Sequence, residues 1–223
     1  MATLRAGFYI DGYNVYGAIN ELRQDHLKWM SYKSLCTWLS GRSRRLKPLG
    51  GRAPLHCQMD VEFIKLYTAT PSHSTRLDRH LEFMAACRAE GVQVHDGGFK
   101  YNNISCRICG TSWRKPEEKE SDVHLAVDIV ADALQGKIDV AFVLTCDSDI
   151  APAFRLCREL TAVQLVTVAF EPRQHSFELL QECDYKIYVQ REHIRRSLLP
   201  KNVLAADGTV LATRPSKYNP PKS

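Results

Sequence analysis

No apolar stretch in this chain approaches the ~20 consecutive residues that a membrane-spanning helix needs, so no membrane partner is expected. No glycine-rich loop follows a strand-like run, which removes both the P-loop and the dinucleotide-binding fingerprint. Serine, histidine and cysteine positions offer no convincing nucleophile triad. Disulfide spacing is also missing: the eight cysteines are scattered, and Cys36, Cys87, Cys146 and Cys157 sit inside apolar patterns as small core residues. The first residues run almost directly into a strand, without the pattern of a signal peptide. A reducing cytoplasm with free thiols is the expectation. Nor does either sign of charge dominate. With 30 Lys and Arg against 25 Asp and Glu, a net charge of +5 suits a polyanion-binding surface, and suits ordinary scatter equally well.

What is present is a repeated design of strand, acidic tip and helix. Residues 140–146 form a continuous apolar run that ends at Asp147-Ser148-Asp149, followed by a helix opening at Ile150-Ala151-Pro152. Phe8-Tyr9-Ile10 is a second β-prone run, and Asp11 ends it before Gly12-Tyr13-Asn14 leads into a helix. Asp122 heads a third segment, an apolar-periodic helix reaching about residue 134. Ligands of open α/β sheets bind at the carboxyl ends of parallel strands. Two carboxylates about 4 Å apart repel by roughly 4 kcal/mol at an effective dielectric of ~20, and a cation relieves this. Asp11, Asp122, Asp147 and Asp149 are therefore candidate ligands for Mg²⁺ or Mn²⁺, which prefer carboxylate and phosphate oxygens. Each also has a plain role: turn residue for Asp11, helix-dipole partner for Asp122, N-cap for Asp149. Asp128 lies six residues beyond Asp122, off the same helical face, and is left outside the set. Asn14 reads as a phosphate or water partner, or as an N-cap. An aspartate-nucleophile phosphatase is disfavoured, because Tyr13 stands where its second acid belongs.

The remaining pattern alternates strands at 5–11, 61–67, 92–95, 140–146, 163–170 and 185–189 with helices at 15–24, 31–40, 76–90, 122–134, 152–160 and 176–182. Such alternation argues for a mostly parallel sheet covered on both faces. Gly97-Gly98 reads as a turn. Residues 99–120 break the rhythm as a loop insert holding Cys106-Arg107-Ile108-Cys109-Gly110. That pair has zinc-knuckle spacing, but a structural zinc takes four ligands and no second pair lies nearby; His95 and His124 are candidates in principle only. Trp113, Arg114, Lys115 and Lys119, like the basic loop 42–52, are candidates for contacting a nucleic-acid backbone or base, or are solvated surface. The expected domain is 1–198. Residues 199–223 are polar and rich in breakers, and read as a flexible tail. The oligomeric state is open, a homodimer being one option.

The motifs Phe8-Tyr9-Ile10-Asp11-Gly12-Tyr13-Asn14, Glu118-Lys119-Glu120-Ser121-Asp122-Val123 and Leu144-Thr145-Cys146-Asp147-Ser148-Asp149 resemble, in order, those of the NYN domain, a branch of the PIN-like nuclease superfamily. The third usually reads Ser-Gly-Asp-Ser-Asp, so Thr145-Cys146 departs from it. The cysteine pair also resembles a feature of many bacterial members. The resemblance implies a PIN-like three-layer α/β sandwich and cleavage of RNA by a metal-activated water. It makes Asp11, Asp122, Asp147 and Asp149 the metal-binding carboxylates, and places Asn14 and Ser148 at the scissile phosphate; Lys119, from the cationic stretch before Asp122, is the candidate substrate-binding residue for the backbone. A non-catalytic RNA-binding protein on the same fold is the alternative.

Overall fold

A computed structural model describes residues 3–41, 46–71 and 74–221; the side chains of 74, 75, 98–102 and 114–119 lie outside that description. The elements are β1 (Thr3–Asp11), α1 (Gly12–Glu21), α2 (Tyr32–Ser40), β2 (Lys47–Pro48), β3 (Gln58–Ala69), α3 (Ser74–Ala89), β4 (Gln93–Ser105), β5 (Ser112–Lys119), α4 (Ser121–Leu134), β6 (Val140–Leu144), α5 (Ala151–Leu160), β7 (Gln164–Phe170), α6 (Phe177–Glu182), β8 (Tyr185–Val189), α7 (Arg191–Arg196), β9 (Asn202–Leu204) and β10 (Val210–Thr213). The main sheet runs β2-β8-β7-β6-β1-β3-β4-β5. β8, β7, β6, β1, β3 and β4 are mutually parallel, with β2 and β5 antiparallel at the edges.

Parallel strands are buried on both faces, which is why β6 is apolar at every position. Neighbouring side chains leave a strand on opposite faces. Phe8 and Ile10 of β1 thus join Val15, Leu35, Met84 and Phe142 in one core, while Tyr9 joins Ile129, Val143, Phe154 and Leu179 in the other. Helices α1, α2 and α3 cover the first face and α4, α5 and α6 the second, giving three layers. Ser31 caps α2 by accepting the Ser34 amide at 2.9 Å. Gly91 follows α3 with φ +85°, a conformation that glycine adopts at little cost.

Sheet order places β1 at a switch point. From it the chain builds outward one way through β3 and β4, and the other way through β6, β7 and β8. The crevice beyond the carboxyl ends of β1 and β6 is where such sheets bind ligands.

Three expectations need correction. Gly97 and Gly98 are not a turn; both lie within β4. Residues 99–120 are not a loop: β4 runs on and pairs with β5 in an antiparallel hairpin from Gly98↔Lys119 to Ser105↔Ser112. From Gly98 onward β4 pairs with β5 and no longer with β3, and Pro116 is tolerated on the edge strand. Residues 199–221 are not a flexible tail. β9 and β10 form a hairpin, and Leu199, Val203, Ala212 and Tyr218 bury Trp29 and Ala86. The indole Nε1 of Trp29 donates to the Pro200 carbonyl at 2.7 Å. A few widely spaced apolar residues suffice here, because the surface they cover is one tryptophan and one face of α3. The basic stretch 42–45 lies outside the described residues.

Candidate active site

Asp11 is the last residue of β1 and the N-cap of α1. Its Oδ1 accepts the Asn14 amide at 2.8 Å, and its Oδ2 accepts the Thr145 hydroxyl at 2.8 Å. The next residue has to be small: a Cβ on Gly12 would lie 2.8 Å from the Tyr67 carbonyl oxygen. Thr145, just past β6, also accepts the Asp147 amide at 3.1 Å. One buried hydroxyl thus links the tips of β1 and β6. Asn14 reinforces the link, its Oδ1 accepting the Cys146 amide at 3.2 Å.

Asp147 caps the 3₁₀ turn Ser148–Ile150, accepting the Asp149 amide at 2.9 Å. Ser148 and Asp149 are exposed and Asp147 half-buried. Asp122 lies in the first turn of α4, which packs against this turn. Asp122 is exposed, yet partial desolvation of its carboxyl, followed by the Asp147 and Asp149 carboxylates, pushes it above its ordinary range. Asp122, Asp147 and Asp149 therefore share one electrostatic neighbourhood, and Asp11 adjoins it through Thr145. The capping roles differ from those weighed on sequence: Asp11 and Asp147 are caps, whereas Asn14 and Asp149 are not.

The expected four-carboxylate cluster is not a preformed cage. Among the described residues, no three His, Cys, Asp or Glu side chains group closely enough to hold a metal ion between them. Both oxygens of Asp11 already accept from protein donors. The donor set still suits Mg²⁺, which keeps several waters and needs only one or two direct carboxylates alongside substrate phosphates.

Two residues at this edge carried no signal in the sequence. Arg173, after β7, donates to the Asn14 carbonyl at 3.2 Å and pairs with Glu21 at 2.7 Å. Thr145 read only as a departure from a motif, yet it is the shared hydroxyl. Asp128 accepts from Lys65 at 3.1 Å and from the Tyr67 hydroxyl at 2.6 Å, in a network beneath the edge. The side chain of Lys119 lies outside the described residues.

Cys106 and Cys109 sit at the tip of the β4–β5 hairpin. The Gly110 amide donates to the Cys106 carbonyl at 2.9 Å, and the Thr111 hydroxyl lies 3.2 Å from Cys109 Sγ. That hydroxyl holds the exposed Cys109 thiol down at about 7. Neither His95, stacked on Tyr67, nor His124 forms a metal-binding group with them among the described residues.

The NYN domain family matches residues 5–192. The chain belongs to the NYN domain family. A solved structure, that of a protein of unknown function from Vibrio parahaemolyticus, superposes with a TM-score of 0.55 at 16% identity, covering 88% of this chain and 96% of its own; this likeness shows the fold alone. In sequence the NYN chain is similar to a 6-hydroxy-3-succinoylpyridine 3-monooxygenase of Pseudomonas putida, 28% identical and covering 86% of this chain and 67% of that protein. NYN membership points to an RNase-like nuclease. No helix among the described residues is long and apolar enough to cross a membrane.

Proposed function

We propose that this NYN protein is a divalent-metal-dependent ribonuclease that hydrolyses RNA phosphodiester bonds at its acidic edge. The observation that carries the reading is the hydrogen-bonded junction of two strand tips at the switch point of the sheet, Asp11 to Thr145 to Asp147, with α4 and its Asp122 packed beside the Asp147 turn. When bound, Mg²⁺ or Mn²⁺ would supply a nucleophilic water near neutral pH and offset charge on the phosphate. Asp122 and Asp147 are the proposed direct holders, with Asp149 and Asp11 acting on the ion's waters. Thr145 fixes the spacing between the two strand tips. Asn14 and Ser148 are the proposed partners of the scissile phosphate, and Lys119 is a proposed contact of the RNA backbone.

Incubation of end-labelled RNA with Mg²⁺ or Mn²⁺, comparing wild type with Asp147→Asn, tests this. Cleavage abolished by EDTA and reduced roughly 100-fold or more in the variant is expected, by analogy with the loss of one transition-state-stabilising group. Equal cleavage by both proteins contradicts it. RNA that is bound with salt sensitivity but left intact points to the non-catalytic alternative.

The pseudomonad relative favours a second reading, in which the same edge acts on a small pyridine-type substrate by oxygenation. Consumption of oxygen and of an added two-electron reductant such as a reduced nicotinamide, dependent on such a substrate and without any RNA cleavage, would select it.

A further inference from the structure

We infer that the cleft between α1 and α3, walled at one side by the C-terminal segment, binds unpaired nucleotides of the RNA whose backbone reaches the acidic edge. The identity of the ligand as RNA rests on the ribonuclease reading; the cleft itself stands on separate observations. It encloses about 940 Å³, room for more than one nucleotide.

Its position ties it to the acidic edge at two points. Gly12 and Tyr13, in its lining, directly follow Asp11. Thr68, packed against Gly12, accepts the hydroxyl of Ser121 through its carbonyl at 3.4 Å, and Ser121 precedes Asp122. One end of the cleft therefore borders the acidic edge.

The lining suits a polyanion with exposed bases. Among the described residues it carries five cationic side chains and two carboxylates. Both carboxylates are already paired, Glu21 with Arg173 and Asp25 with Lys28 and Lys217. Tyr13 and Tyr16 are half-exposed and three residues apart on α1, so they share one face. Rings presented this way stack on bases of any sequence, provided the bases are not already stacked in a duplex. Arg76 and Arg79 stand across the cleft on α3 as phosphate partners. Nε2 of His80, on the same wall, is enclosed without a hydrogen-bond partner among the described residues. Lys217 and Tyr218 complete the cleft from beyond residue 192, where the family match ends, so this wall is an addition to the NYN domain.

The test measures fluorescence anisotropy of a labelled single-stranded oligoribonucleotide and of an RNA duplex, both in EDTA so that no cleavage intervenes. Wild type is compared with Tyr16→Leu and Arg76→Gln. Single-strand affinity is expected to fall roughly tenfold in Tyr16→Leu while duplex affinity changes little. Arg76→Gln is expected to weaken binding and reduce the salt slope by about one, a readout that loss of packing would not produce. Hydrolysis of bis(p-nitrophenyl) phosphate in Mn²⁺, which engages the acidic edge alone, is expected to be unchanged in both. Unchanged single-strand affinity and salt slope in both variants overturns the inference, as does an equal loss of duplex binding. Single-strand binding that depends on Tyr16 and Arg76 supports the cleft even if no form hydrolyses the diester; that result counts against the ribonuclease reading alone.

Discussion

The hydroxyl of Thr145 donates to the Asp11 carboxylate at 2.8 Å and accepts the Asp147 amide at 3.1 Å, so one side chain sets the spacing of two strand ends. Thr145→Val keeps the shape and removes the hydroxyl, leaving a buried carboxylate oxygen and an amide unmatched. A stability loss of about 1–3 kcal/mol is expected in urea unfolding. Thr145→Ser keeps the bonds and is expected to stay within about 1 kcal/mol of wild type, losing only a methyl group. Equal losses in the two variants would show that the hydroxyl does not matter.

Asp122 gives a pH dependence of definite sign. Partial desolvation and the neighbouring Asp147 and Asp149 raise its folded pKa, so the folded protein binds this proton more tightly than the unfolded chain. Stability therefore falls as pH rises from the ordinary carboxylate range through the raised value. Asp122→Asn removes that penalty and is expected to melt above wild type near neutral pH. The difference should vanish in acid below the ordinary carboxylate range. Added Mg²⁺ should raise the melting temperature of wild type and leave the variant nearly unmoved. A variant that melts below wild type at neutral pH would contradict this assignment.

Beneath the edge, Lys65 is held by Asp132 at 2.6 Å and Asp128 at 3.1 Å, and Asp132 also accepts the Tyr9 hydroxyl at 2.9 Å. Lys65→Met removes the more buried of two lysines from Asp132, whose side chain is only 3% exposed and which keeps Lys137 at 3.0 Å. A loss of about 1–3 kcal/mol is expected. Adding Asp132→Asn should restore part of it in a double-mutant cycle, and strict additivity would show that the two residues are not coupled.

The C-terminal hairpin covers Trp29, which is fully buried. Ending the chain after residue 198 is expected to red-shift tryptophan emission and to cost at least about 2 kcal/mol from the exposed indole. Unchanged emission would mean that the hairpin contributes no packing.

Legibility in the sequence followed the depth of burial. The central strands were readable because both their faces are covered, so 140–146 appears as a continuous apolar run and 163–170 as one interrupted only by Gln164 and Thr167. Helix stops at Gly91 and Gly136 were readable from turn chemistry. The β4–β5 hairpin and the 199–221 segment were not: past Gly98 the hairpin pairs away from β3, the 199–221 segment covers only a small surface, and no period of 2 or 3.6 marks either sequence. The same divide runs through the candidate site. Aspartates at strand tips can be located once the strands are. The shared use of the Thr145 hydroxyl and the crossing of Arg173 to α1 depend on contacts over 134 and 159 residues, which no local pattern encodes.

Anomalous scattering from Mn²⁺-soaked crystals tests the central claim most directly. The account expects a peak among Asp11, Asp122, Asp147 and Asp149, absent in Asp147→Asn. A wild-type crystal with no peak there, or with manganese bound only elsewhere, would contradict it.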